Sequence, residues 1–209
     1  SLLITLLIGS IIINFLITYF FDSYSLLSNF IIISSIFLIF SSFLDLIKFS
    51  RKINADFSRV ISHLAFGFLI LFIGLNHNFS FENDFNLKVG EKKRFNDYVI
   101  EFKDLKLKDF QNYQAVVGNF NINNSKKKLN LSLNPEIRIY EKPNTLTYEA
   151  SIRTGLLKDY YITMSNIDRS DYYNIKFQKK PFMVWIWISV FFISVGSLVR
   201  IFKNEKKII

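Results

Sequence analysis

The sequence predicts a membrane protein of four transmembrane α-helices, with a β-rich domain of small barrel or sandwich type inserted between the third helix and the fourth. Three observations predict it. Half of the 209 residues are hydrophobic and the mean hydropathy is +0.24, both high for a water-soluble domain. The apolar residues pool into four uncharged blocks rather than spreading along the chain. One long polar stretch, with strand-like alternation, separates the third block from the fourth. The domains expected are 1–58, a two-helix hairpin with a basic inner loop; 59–77, a helix bearing a histidine; 78–180, the β domain; and 181–209, a last helix with a basic tail.

Each block is justified by length. About 20 apolar residues carry a helix across a bilayer. Leu2 to Phe21 meets this without a charge, and Leu26 to Leu44 runs uncharged up to Asp45. Val60 to Leu75, with a start near Phe57, is the third, and Phe182 to Val199 lies between Lys180 and Arg200. The shorter runs span with less tilt or with snorkelling flanks. Asp22-Ser23-Tyr24-Ser25 is too short to do more than turn the chain, so the first two spans form an antiparallel hairpin. The first run has no basic leader and no small-residue cleavage site, which separates it from a signal peptide. The chain opens at Ser1 rather than Met, so a processed, unusually initiated or incomplete N-terminus is expected, with further spans in a longer ancestor or a partner polypeptide.

Short basic loops set the orientation. Lys48, Arg51, Lys52 and Arg59 lie between spans two and three, and Arg200, Lys203, Lys206 and Lys207 follow span four. Both clusters belong on the inner side, which puts the long polar segment outside. Trp185 and Trp187 then fall at the outer edge of span four, where aromatic belts sit. Lys180-Pro181 marks the break into that span, since proline is tolerated in a first helical turn.

The polar segment has hairpin grammar. Tyr98–Phe102, Leu105–Leu107 and Gln114–Ile122 are rich in β-formers, Asn123-Asn124-Ser125-Lys126 is a turn signal, and Leu129–Leu133 alternates strictly. Ile137–Tyr140, Asp159–Met164 and Tyr172–Phe177 complete about eight short strands, a number that suits a small barrel or sandwich with little helix.

Several function classes fall away. There is no Cys, which removes disulfides, thiolate metal sites and cysteine nucleophiles. The net charge of +9 invites a nucleic-acid reading, but the polar segment mixes 18 basic with 13 acidic residues, and the other basic residues flank apolar runs. That is a membrane signature, and no nucleic-acid partner is expected. Scattered carboxylates and two histidines give no acid–base constellation, and a transporter would have only one ionisable group well inside a span. Asn-x-Ser matches at Asn78, Asn123 and Asn130 are chance in an Asn-rich chain.

That one ionisable group is His63, in a run without charge from Val60 to Phe81. A charged group at membrane depth costs roughly 2.5 kcal/mol or more, so such a residue is retained for a task. Imidazole is a frequent ligand of metals and of haem iron, and one ring nitrogen binds while the other donates to a fixed acceptor. Ser62 or a partner helix could be that acceptor. His63 follows Arg59 by one turn, about 6 Å deeper than the basic edge at 1.5 Å per residue. Ala65 and Gly67 beside it would let a flat macrocycle, or simply another helix, come close. His77, at the mouth of the same span, reads as an interfacial polar residue.

A series of motifs then matches a known family. Ser62-His63-Leu64-Ala65-Phe66-Gly67 is followed by Phe81-Glu82-Asn83-Asp84 with Gly90, and by Asn112-Tyr113-Gln114-Ala115 with Gly118. Next come Leu133-Asn134-Pro135-Glu136-Ile137-Arg138-Ile139-Tyr140, then Thr147-Tyr148-Glu149-Ala150-Ser151-Ile152 ahead of Leu157-Lys158-Asp159-Tyr160-Tyr161. Lys180-Pro181-Phe182-Met183-Val184-Trp185-Ile186-Trp187 closes the series. From about Arg59 to Arg200 this order resembles the C-terminal part of the CcmF family, membrane haem lyase subunits of the cytochrome c maturation system. The first 58 residues match only as generic spans.

The resemblance implies an internal haem b held by two transmembrane histidines, with His63 matching one of them as haem and metal ligand. It also implies a second, substrate haem at a tryptophan-rich outer loop, and attachment of haem to apocytochrome c. That loop and the family's other three histidines have no counterpart in this sequence. The expected partners are therefore a polypeptide carrying the N-terminal half of the lyase, apocytochrome c, haem and the lipid bilayer. The excess of Ile, Phe, Asn and Lys resembles AT-rich coding, and split forms of the family occur in mitochondria. The expected location is the mitochondrial inner membrane, with the β domain facing the intermembrane space and the C-terminus in the matrix; the bacterial plasma membrane is the alternative. The competing reading of function is a non-catalytic accessory or structural subunit of a large inner-membrane respiratory assembly.

Overall fold

The computed structural model describes residues 2–21, 25–51, 57–124, 126, 128–167 and 170–205. Four helices, α1 Leu2–Phe21, α2 Leu26–Arg51, α3 Phe57–Phe79 and α4 Met183–Glu205, are each long and apolar enough to cross a membrane. The four-span, β-domain architecture read from the sequence is the one observed. Ser1, Asp22 to Tyr24, Lys52, Ser125, Lys206 and Lys207 lie outside the described residues, as do the side chains of Lys48, Arg51 and Lys203.

The chain forms two compact units, 1–79 with 181–209 and 80–180. In the first, α1 packs on α2, α2 on α3, and α3 on α4. Burial runs opposite to that of a water-soluble bundle. Leu3, Ile4, Phe15, Phe30 and Phe191 are exposed, while Ser10, Asn14 and Thr18 of α1 and Ser28, Ser35 and Ser42 of α2 are buried. These polar residues recur every fourth or seventh position, so each set forms one stripe. Small and hydroxyl side chains let backbones approach where no hydrophobic force separates helix from solvent. Their hydroxyls bond back to their own helix: Ser10 Oγ donates to the Leu6 carbonyl at 2.8 Å and Ser35 Oγ to that of Ile32 at 2.8 Å. Gly67 and Gly74 serve the same end on α3. A Cβ on Gly67 would stand 2.8 Å from Ile39 Cγ1 of α2, and one on Gly74 would stand 3.0 Å from Ile31 Cγ2.

Two helices exceed the apolar runs that announced them. α2 continues past Asp45 and α4 past Arg200. A charge ends a hydrophobic block but not a helix, and neither stretch holds a Gly or Pro to stop propagation. At the other end of α4, Pro181 is the last strand residue rather than a first helical one. Phe182 makes the corner at φ +62 and its carbonyl accepts the first helical bond, from Ile186 N at 3.1 Å. The Asn76 amide donates to the Pro181 carbonyl and ties this corner to the end of α3.

The second unit is a sandwich of ten strands: β1 Phe81–Leu87, β2 Lys92–Phe95, β3 Tyr98–Asp109, β4 Tyr113–Asn124, β5 Leu129–Leu133, β6 Glu136–Glu141, β7 Asn144–Glu149, β8 Ser151–Arg153, β9 Lys158–Asn166 and β10 Tyr173–Pro181. One sheet has the order β1-β10-β9-β8; the other runs β2-β3-β4-β6-β7, with β5 also on β4. β4 is long enough to serve both, pairing Phe120–Asn124 with β5 and Tyr113–Val117 with β6. No helix occurs among the described residues of this unit.

The expected runs Tyr98–Phe102 and Leu105–Leu107 are one strand. A register shift between Phe102 and Asp104 inserts one residue, so the apolar phase jumps from even to odd positions. β1, β2, β7 and β8 escaped the sequence reading because they are short or polar edge strands with few buried positions. The core between the sheets holds Ile100, Phe102, Phe120, Ile122, Ile162, Met164, Ile175 and Phe177, all fully buried. Phe102 stacks on Phe120 with centroids 4.3 Å apart. Burying each such side chain contributes about 1.5–3 kcal/mol.

Candidate functional site

α3 and α4 run antiparallel: Phe72 meets Trp185 with ring centroids 5.8 Å apart, while Ser62, ten residues back, meets Gly196, eleven residues on. The lower crossing is very close. A Cβ on Gly196 would lie 2.3 Å from Ser62 Oγ and 3.1 Å from the Ser58 carbonyl, and Ser58 Oγ donates to the Gly196 carbonyl. Glycine is required here because backbone meets backbone. The crossing leaves a groove of about 420 Å³ on its flank, lined by Ser58, Arg59, Ser62, His63, Ser197, Arg200 and Ile201.

His63 stands exposed on this groove. Among the described residues its ring has no hydrogen-bond partner, and Ser62 does not act as its acceptor but faces Gly196 instead. Gly67, one turn on, packs against α2, so of the two roles expected for it, close helix contact is the one it fills. Ala65 points to the opposite flank, where an apolar groove of about 380 Å³ is lined by Leu64, Phe68, Phe72, Trp185, Ser189 and Phe192. His77 is exposed fourteen residues along the same helix, about 21 Å away at 1.5 Å per residue. The chain's two histidines therefore cannot share an iron.

The donor set fits a haem ligand better than a closed metal cage. A structural cage takes three or four converging ligands, and no group of three His, Cys, Asp or Glu occurs among the described residues. A single open imidazole can serve as a haem-iron ligand without a converging set of protein donors. Trp185 and Phe182 both pack on Phe72, while Trp187 is 67% exposed. The sequence reading missed Arg59 and Arg200 as members of this site and took them as topology markers only. The signal was there for Arg59, which precedes His63 by four residues and so lies one turn away on the same side.

The family motifs of the β domain have structural work. Pro135 is fully buried; Arg138 Nε bonds Glu136 Oε2 at 2.9 Å and lies over the Tyr113 ring at 5.0 Å. Glu136 above all holds the guanidinium's pKa higher than usual. Glu82 of the first β motif pairs with Lys176 across β1 and β10, and this lysine's hydrogen bond chiefly draws the carboxyl below its ordinary value.

Comparison with known proteins closes the site description. The model of the CcmF C-terminal beta-sandwich family matches residues 78–181. The cytochrome c-type biogenesis protein CcmF of Haemophilus influenzae is 29% identical over 166 residues, covering 79% of this chain and 25% of that protein. Its Escherichia coli counterpart is 26% identical over 75% of this chain and 24% of that protein. The chain thus spans about a quarter of these relatives. The solved structure of a cytochrome c heme lyase CcmF superposes over 93% of this chain and 33% of that one, with a TM-score of 0.70 at 14% identity, which is a likeness of fold. Residues 78–181 match the CcmF C-terminal β-sandwich, and the chain as a whole is similar to the C-terminal part of CcmF.

Proposed function

We propose that this chain is the C-terminal component of a haem lyase that attaches haem covalently to apocytochrome c, and that His63 provides one axial ligand to a haem b in the membrane. The observation that carries the reading is the position of His63: a histidine of a membrane-spanning helix, exposed beside a groove, with both ring nitrogens unpartnered among the described residues. A neutral imidazole in that state has a lone pair to give to iron, and its other nitrogen is free to donate to an acceptor on the companion. A haem b held by His63 would supply one-electron chemistry. The chain's own residues hold the ring: the Ser58–Gly196 contact locks α3 to α4, and Gly67 and Gly74 lock α3 to α2, so His63 projects from a fixed helix. The β-sandwich is assigned the outer side, where it positions apocytochrome c or the companion chain.

The same reading gives the chain a companion that carries the N-terminal half with its tryptophan-rich haem loop. The AT-rich residue usage supports the mitochondrial inner membrane as its home. Affinity purification of the tagged chain from mild detergent tests it. A companion bearing the tryptophan-rich loop, with haem b in the eluate, is the expected result. Stoichiometric recovery of respiratory-complex subunits without such a companion would overturn it in favour of an accessory role.

A further inference from the structure

Resting on the assignment of His63 as a haem ligand, we propose that Arg59 and Arg200 form a two-armed anion clamp that takes the carboxylate side chains of the same tetrapyrrole. The two guanidinium groups come from different helices and line one groove with His63. Arg59 is one turn from His63 on α3, and Arg200 is one turn beyond Gly196 on α4, whose backbone lies against Ser58 and Ser62. Because the helices are antiparallel, both residues reach the same end of the groove. Among the described residues neither guanidinium meets a carboxylate. Two like charges lining one groove repel one another unless an anion joins them.

The chemistry of the lining matches one ligand in all its parts. Arginine presents a planar fork that binds carboxylate through paired hydrogen bonds. Ser58, Ser62 and Ser197 add small polar side chains to the lining, and Ile201 adds an apolar edge. A molecule with a metal centre to meet imidazole, an apolar body, and two carboxylates to meet two arginines uses the whole set. The opposite groove between the same helices, lined by Phe68, Phe72, Trp185 and Phe192, has no cation and could not make this distinction. A lipid phosphate has the same anionic chemistry as a carboxylate, and the test separates the two.

The experiment uses the complex of this chain with its companion in phosphatidylcholine nanodiscs, titrated with haemin and with haemin dimethyl ester, whose carboxylates are capped. Wild type is expected to bind haemin about tenfold or more tightly than the ester. R59Q/R200Q is expected to abolish that preference by weakening haemin while leaving the ester unchanged, and both ligands keep the low-spin spectrum of an iron held by His63. R59K/R200K, which keeps charge without the fork, restores part of the preference and controls for folding. If the double variant discriminates between haemin and ester as wild type does, the clamp is wrong although ligation by His63 stands. If neither ligand gives a spectrum that depends on His63, both readings fail together. If, in parallel nanodiscs that also contain phosphatidylglycerol, the double variant loses bound phosphatidylglycerol but not its haemin preference, the arginines hold lipid and the proposal is overturned.

Discussion

Gly196 of α4 and Ser62 of α3 are so close that a methyl group on the glycine would stand 2.3 Å from the serine oxygen. The next residue after Ser62 is His63, so this close crossing fixes the backbone that carries the candidate ligand. Gly196→Ala should therefore destabilise the α3–α4 pair by about 1–3 kcal/mol, the usual cost of overpacking. Gly67→Ala should cost less, because the atoms its Cβ would meet, Ile39 Cγ1 at 2.8 Å and Ile39 N at 3.3 Å, stand farther off than those facing Gly196. Thermal unfolding of the two variants in detergent ranks them, and a milder effect at Gly196 would contradict the crossing.

The β-sandwich should stand or fall on the Phe102–Phe120 stack. Both rings are fully buried and sit on neighbouring strands of one sheet, directly paired in register. Phe120→Ala should lower stability by about 3–5 kcal/mol. Tryptophan-independent circular dichroism of the β signal during denaturant unfolding measures it, and a loss under 1 kcal/mol would mean the core is elsewhere.

Alkaline pH should loosen the same domain through Tyr160. Burial raises its phenol above the ordinary 10.0, and a 3.3 Å hydrogen bond with the Tyr98 hydroxyl offsets this only in part. A raised folded value means the unfolded chain ionises first. The stabilisation is complete below pH 10 and is lost as pH rises through the folded value. Tyr160→Phe should flatten the decline of unfolding temperature above pH 10, and an unchanged slope would assign that decline to other groups.

His77 should be dispensable for iron. It sits about 21 Å along α3 from His63 by helical rise, too far to complete one coordination sphere. His77→Ala should leave any haem b spectrum of the complex intact, and a loss of that spectrum would place iron at the wrong end of the helix.

Much of the architecture was legible because its signals are large. Uncharged runs near 20 residues can hardly be anything but membrane helices, and strict alternation such as Leu129 to Leu133 marks a sheet face. Edge strands were not legible, since Lys92 to Phe95 and Ser151 to Arg153 bury almost nothing and so carry no apolar period. The bulge in β3 hid one strand as two. At the site, His63 was conspicuous through its chemistry in an apolar run, but its neighbours were not. Arg200 and Ser197 come from the other end of the sequence and join His63 only through the Gly196 crossing. Ser62 looked like a hydrogen-bond acceptor beside the ring in sequence, yet adjacent helical residues point about 100° apart, and it turned to α4 instead.

The central claim is that the His63 ring holds iron. Replacement of His63 by Ala in the purified complex, followed by the reduced-minus-oxidised absorption spectrum, reads it most directly. The account predicts that the haem b signal disappears while the chain still assembles with its companion. An undiminished signal in that variant would contradict it.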